Sequence, residues 1–122
     1  MPKLIFILED NQDLIELYEL ILEEEDYQIS AFCTIKAFLE HSTEIPDLYL
    51  LDVMLPDGDG VEICRELKKS PLTQNIPVIM ISAHSDIADV KRQCPGSDFI
   101  AKPFDIGHLS SQIAKRLSEN RS

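Results

Sequence analysis

Four short apolar runs of this 122-residue chain each end on a side chain that phosphoryl transfer can use. Glu9 and Asp10 follow residues 4–8, Asp52 follows 48–51, Ser82 follows 78–81, and Lys102 follows 99–101. If the runs are parallel strands of one open α/β sheet, the residues at their carboxyl ends share a crevice. Three carboxylates, a hydroxyl and an ammonium would then converge. Carboxylates so crowded repel one another unless their pKa values rise or they share a cation. Mg²⁺ suits the set, because it takes hard oxygen ligands and binds through one or two carboxylates plus a phosphate. Adjacent residues of extended chain point to opposite sides, which assigns Asp10 to direct coordination and Glu9 to contact through water. Asp52 is placed to attack a phosphoryl group and hold it as an aspartyl phosphate. Mg²⁺, Lys102, and the Ser82 hydroxyl with nearby backbone amides would neutralise the equatorial oxygens. Taken singly, these residues read as helix-capping acids, a turn aspartate, a cap serine and a solvated lysine. Their order at four successive run ends points to chemistry.

The elements that must position them follow from periodicity. Apolar runs alternate with helical patterns, as in repeated βα units around a parallel sheet. Leu14, Leu17, Tyr18, Ile21 and Leu22 mark one stripe of a first helix. A strand over 28–32 leads to a short helix that Thr34 caps and whose Ile35, Phe38 and Leu39 point inward. Pro46 precedes the apolar strand that ends at Asp52, a central strand covered on both faces. Residues 56–60, Pro-Asp-Gly-Asp-Gly, form a turn, and Asp59 with Glu62 reads as a capping-box variant for a helix that stops near Pro71. Pro77 opens the fourth strand. Ser85 can cap a thin helix carrying Ile87, Val90 and Cys94, ended by Pro95 and Gly96. After the last strand, Asp105 caps a helix with Ile106, Leu109, Ile113 and Leu117 inward and Lys115, Arg116 and Arg121 toward its carboxyl end.

Composition narrows the class. One domain of this length buries a single core. Eleven basic against 22 acidic residues give a net charge of −11, which disfavours contact with DNA or anionic membrane. The amino-terminal residues lack a signal-peptide pattern, and no apolar run approaches the roughly 20 residues that span a bilayer, so a cytoplasmic location is expected. Cys33, Cys64 and Cys94 are odd in number and widely spaced, and the expectation is buried free thiols in a reducing compartment.

These residues resemble the receiver domain of two-component response regulators, the phosphoacceptor module of the chemotaxis-protein type, over essentially the whole chain. Residues 8–11 (Leu-Glu-Asp-Asn) are similar to the acidic pair after strand 1, and 51–56 with Asp59 and Gly60 to the phosphoacceptor strand and loop. Residues 81–83 resemble the switch hydroxyl, and 99–104 (Phe-Ile-Ala-Lys-Pro-Phe) the segment of aromatic, lysine and cis-proline. The resemblance implies that a histidine kinase or phosphotransfer protein phosphorylates Asp52. Ser82 and Phe99 then turn inward and remodel the face of helix 4, strand 5 and helix 5, through which a target or a second copy docks. It also implies that the Met54 backbone carbonyl completes the metal site, that Lys102-Pro103 is cis, and that Met54 and His84 lie where the phosphoryl lifetime is tuned. Between Ser82 and Lys102 the chain is about two residues shorter than the family's usual pattern, and Pro95 cuts helix 4.

The expected architecture is an α/β, three-layer, doubly wound, flavodoxin-like fold: a five-stranded parallel sheet of order 2-1-3-4-5, with residues 1–122 as one receiver domain. The expected role is a signalling phosphoacceptor that catalyses only its own phosphorylation and dephosphorylation. An alternative is a Mg²⁺-dependent phosphatase of the haloacid-dehalogenase type, which also uses an aspartyl nucleophile but wants a second acid two residues on, where this chain has Met54. A flavin-binding flavodoxin-like protein would want hydroxyls and glycine after strand 1, where Glu9, Asp10 and Asp13 would repel a phosphate.

Overall fold

Strands with apolar side chains on both faces need helices on both faces, and the chain supplies them in the segments that follow the strands. The computed structural model describes residues 2–41 and 44–119. Its order is β1 (Leu4–Leu8), α1 (Gln12–Glu23), β2 (Gln28–Phe32), α2 (Ile35–Leu39), β3 (Leu48–Asp52), α3 (Gly60–Lys69), β4 (Val78–Ala83), α4 (Ile87–Gln93), β5 (Asp98–Lys102) and α5 (Ile106–Glu119). A two-residue hairpin, Met54–Leu55 against Gly58–Asp59, joins β3 to α3. The five long strands are all parallel, in spatial order β2-β1-β3-β4-β5. This is the expected order. The chain leaves β1 toward one edge and β3 toward the other, so the crevice of the sheet opens between β1 and β3.

Alternation along the strands sorts the core into two halves. Ile5, Ile7, Leu48, Leu50, Ile79, Ile81 and Ile100 pack with Tyr18 and Leu22 of α1 and with Leu109, Ile113 and Leu117 of α5. Phe6, Leu8, Tyr49, Leu51, Val78 and Met80 pack on the other side with Phe38 of α2, Val61 and Cys64 of α3 and Val90 of α4. Edge-to-face contacts join Phe6, Phe32, Phe38 and Tyr49 in the second half.

Local signals mostly act as read. Thr34 accepts from the Ala37 amide, Asp59 from that of Val61, and Asp105 from that of His108, so all three cap their helices. Other expectations are corrected. Leu39 is exposed: α2 has five residues, and a step of one residue turns the helix about 100°, so Phe38 takes the core and Leu39 faces out. Ile106 is likewise exposed, because Leu109, Ile113 and Leu117, spaced by four, already carry the buried stripe of α5. Ser85 does not cap a helix. Residues His84–Asp86 form a 3₁₀ turn, and α4 starts at Ile87 after Asp86, whose side chain makes no capping bond. The expected basic residue Arg121 lies outside the described residues.

The cysteines are the largest correction. Cys64 and Cys94 are buried but joined in a disulfide, and Cys33 is free but exposed. Spacing of 30 residues says nothing of distance in space, and the parallel fold sets α3 beside α4. Among the described residues no helix is long and apolar enough to cross a membrane.

Candidate functional site

The acidic end of β1 is built by the cap of α1. Asn11 accepts from the Leu14 amide and starts the helix, and its own amide donates to Glu9 Oε2 at 3.1 Å. Glu9 is buried, while Asp10 stays at the surface. Carboxylate oxygens of Glu9, Asp10 and Asp52 all lie within 4.8 Å of one another. Lys102 Nζ donates to Asp52 Oδ2 at 3.1 Å and stands 3.7 Å from Glu9 Oε1. The Lys102-Pro103 peptide is cis. The structure thus brings the acidic trio and the lysine together as read.

Alternation divides the remaining residues. Asp52 and Lys102 continue the rows of Leu50 and Ile100, toward α1 and α5, whereas Ser82 continues that of Met80, toward α3 and α4. Ser82 is buried, and its hydroxyl donates to the Ala83 carbonyl at 3.1 Å. Phe99 packs, half-buried, against the α3/α4 half of the core, with Lys91 Nζ of α4 5.9 Å above its ring. Met54 exposes its side chain.

The loop after Asp52 is pinned twice. Gly60 donates to the Val53 carbonyl at 2.8 Å, and a Cβ at position 60 would stand 2.0 Å from the Asp52 carbonyl oxygen. At the hairpin tip, Asp57 accepts from the amides of Ile35 and Lys36, at 2.9 and 3.1 Å, which holds its carboxyl below the usual range. Sequence reasoning missed this contact. An aspartate in a Pro-Asp-Gly turn is ordinary, and its partners are more than 20 residues away.

Glu9 Oε1 and Tyr18 Oη are buried without a hydrogen-bond partner among the described residues. Tyr18 stacks on Phe104, and burial pushes its phenol well above its ordinary pKa, with Glu9 and Asp52 adding to the shift. Burial, and after it the Asp52 charge, pushes the Glu9 carboxyl up to about 7, against the Asn11 amide and Lys102. An orphaned acceptor beside two further carboxylates is a donor set suited to a hard dication, and Glu9, Asp10 and Asp52 could hold one.

A pH dependence follows. Glu9 binds its proton more tightly folded than unfolded, so this contribution is fully present below about pH 4.5 and is lost as pH rises through about 7. Metal-free protein is expected to melt at a lower temperature at about pH 8 than at about pH 5.5, and Glu9→Gln should flatten the fall. Thermal melts in chelator check this. An equal fall in the variant would assign the titration to other groups.

The family model of the response regulator receiver domain matches residues 5–114. The response regulator ArlR of Staphylococcus saprophyticus is 40% identical over 116 residues, covering 93% of this chain and 51% of that protein. The chain therefore spans about half the length of that relative. Among solved structures, the signal receiver domain of a signal transduction histidine kinase from Syntrophus aciditrophicus is 38% identical, with a TM-score of 0.86 and coverage of 96% and 91% of the two chains. A response regulator receiver domain protein of the CheY-like kind from Methanospirillum hungatei is 27% identical, with a TM-score of 0.85 and coverage of 98% and 97%.

Proposed function

This chain belongs to the response regulator receiver family of two-component systems, and from that premise we propose that Asp52 is its phosphoacceptor. The observation that carries the reading is the Lys102 ammonium on Asp52 Oδ2, inside the trio of Glu9, Asp10 and Asp52 carboxylates. The donor is the phosphohistidine of a histidine kinase or a phosphotransfer protein. One Asp52 oxygen attacks phosphorus as the bond to the leaving imidazole breaks, and the phosphoryl group remains on Asp52. Lys102 holds the attacking carboxylate and can follow charge onto a phosphoryl oxygen. Glu9, Asp10, Asp52 and the Met54 carbonyl would hold Mg²⁺, which when bound supplies positive charge to the phosphoryl oxygens. Ser82 gives up its bond to the Ala83 carbonyl to donate to the phosphoryl group, and Phe99 moves into the space it leaves.

The output is a change in the face of α4, β5 and α5, which docks a protein target or a second copy. Residues 1–122 act as one receiver unit, working in the cytoplasm, with no catalysis beyond its own phosphorylation and dephosphorylation. The net charge of −11 supports protein partners over direct nucleic-acid or membrane contact. The phosphatase alternative draws no support, since the position two residues after Asp52 is the exposed Met54.

Acetyl phosphate with Mg²⁺ is expected to add one phosphoryl group, read as a single increment of intact mass, and chelation should prevent it. Labelling unchanged in chelator would remove the metal from the reaction.

A further inference from the structure

We propose that Cys64 and Cys94 form a reversible thiol–disulfide site whose oxidised form holds α4 against α3 and restrains the movement of Ser82 and Phe99. The inference rests on the receiver reading and the cytoplasmic setting proposed with it, where a disulfide is uncommon and, when present, is mostly catalytic or redox-sensing. It concerns residues that the phosphoryl chemistry does not use.

Placement carries it. Cys64 stands in α3, and Cys94 follows directly on α4, with a Cα separation of 6.5 Å. Both belong to the half of the core where Phe99 packs and toward which the Ser82 row points. The bond closes a loop, across a sequence separation of 30, that contains all of β4 with Ser82. Otherwise α4 is weakly held. It has seven residues, Val90 is its one buried residue, its amino end has no side-chain cap, and Lys91 reaches over Phe99. With the bond closed, the carboxyl end of α4 is fixed to α3. With it open, Cys64 and Cys94 pack as small apolar groups that can part.

Both cysteines are nearly inaccessible, at 0% and 2% exposure, so a small thiol reaches the bond only when α4 lifts. Phosphorylation calls on the same element. Coupling between two sites is reciprocal, so a bond that opposes switching must itself be opened more easily in the switched state. Oxidation balances with a low-molecular-weight disulfide such as oxidised glutathione. One cysteine thiolate attacks a glutathione sulfur and releases the first glutathione thiolate; the second cysteine then displaces the other glutathione. Two protein thiols become one disulfide, one glutathione disulfide becomes two thiols, and the two protons pass to these.

The test equilibrates the full chain across glutathione redox buffers and counts free cysteines by alkylation and mass spectrometry. The bond is expected to pass from open to closed within the buffer range. In reduced protein, beryllofluoride with Mg²⁺ should raise amide exchange in α4 and β5 several-fold, and in oxidised protein far less. Beryllofluoride should also speed reduction of the bond several-fold. Cys94→Ser should respond as reduced protein in every buffer, with Cys64→Ala as the second variant if the first does not fold. A bond closed across the whole range, or an equal beryllofluoride response in both redox states, overturns the proposal. Acetyl phosphate labelling of Asp52 in reduced protein is read in parallel: its absence sinks the receiver reading, whereas normal labelling with equal responses sinks the redox proposal alone.

Discussion

Asp52→Asn is expected to keep the fold and to lose all covalent labelling by acetyl phosphate. The amide has nearly the shape of the carboxyl, so the packing of a residue only 7% exposed survives. It lacks the charged oxygen that attacks phosphorus, and no geometry restores that. The loss should be complete rather than graded, because Glu9 is buried with one oxygen on the Asn11 amide and Asp10 lies at the surface. The variant should also melt higher without metal. Removing the Asp52 charge relieves the repulsion on Glu9, although burial, the larger cause, still holds its carboxyl up. Intact mass after incubation with donor and Mg²⁺ decides the first point, and full labelling of the variant would move the acceptor elsewhere.

Asp10→Ala is expected to remove the stabilisation that Mg²⁺ gives. A ligand at a hundredfold excess over its Kd stabilises the parent by about 2.7 kcal/mol, on the order of 10 °C in Tm for a domain of this size. Asp10 is the exposed member of the trio, so it can be removed without a cavity, and its loss leaves two carboxylates facing Lys102. The metal-free variant should be at least as stable as the parent while labelling poorly. Melting curves with and without Mg²⁺ settle it: a metal-induced rise equal to the parent's is incompatible with Asp10 as a ligand.

Much of this was legible because its signals are local or topological. The β1 and β3 bounds follow from apolar runs, and alternating helices and strands imply a parallel sheet whose carboxyl ends meet. Glu9, Asp10, Asp52 and Lys102 could therefore be brought together on paper. The errors lie where local pattern yields to tertiary geometry. Leu39 and Ile106 have the right chemistry for the core but the wrong angle on short or already filled stripes. The cap of α4 lies at Asp86 rather than at Ser85 because a 3₁₀ turn intervenes, which a cap residue alone does not reveal. Asp57 on the α2 amides and Cys64 on Cys94 are contacts at long sequence separation, set by which helices the sheet makes neighbours.

Gly60 constrains how the loop after Asp52 could be re-engineered. Met54 projects into solvent, so its side chain can be exchanged without touching the core. Position 60 offers no such freedom, since even a methyl group there would sit 2.0 Å from the peptide oxygen of Asp52. A residue that offers no side chain to the site is thus less negotiable than the exposed Met54 beside it, and a library built on this loop would do well to randomise position 54 and leave position 60 alone.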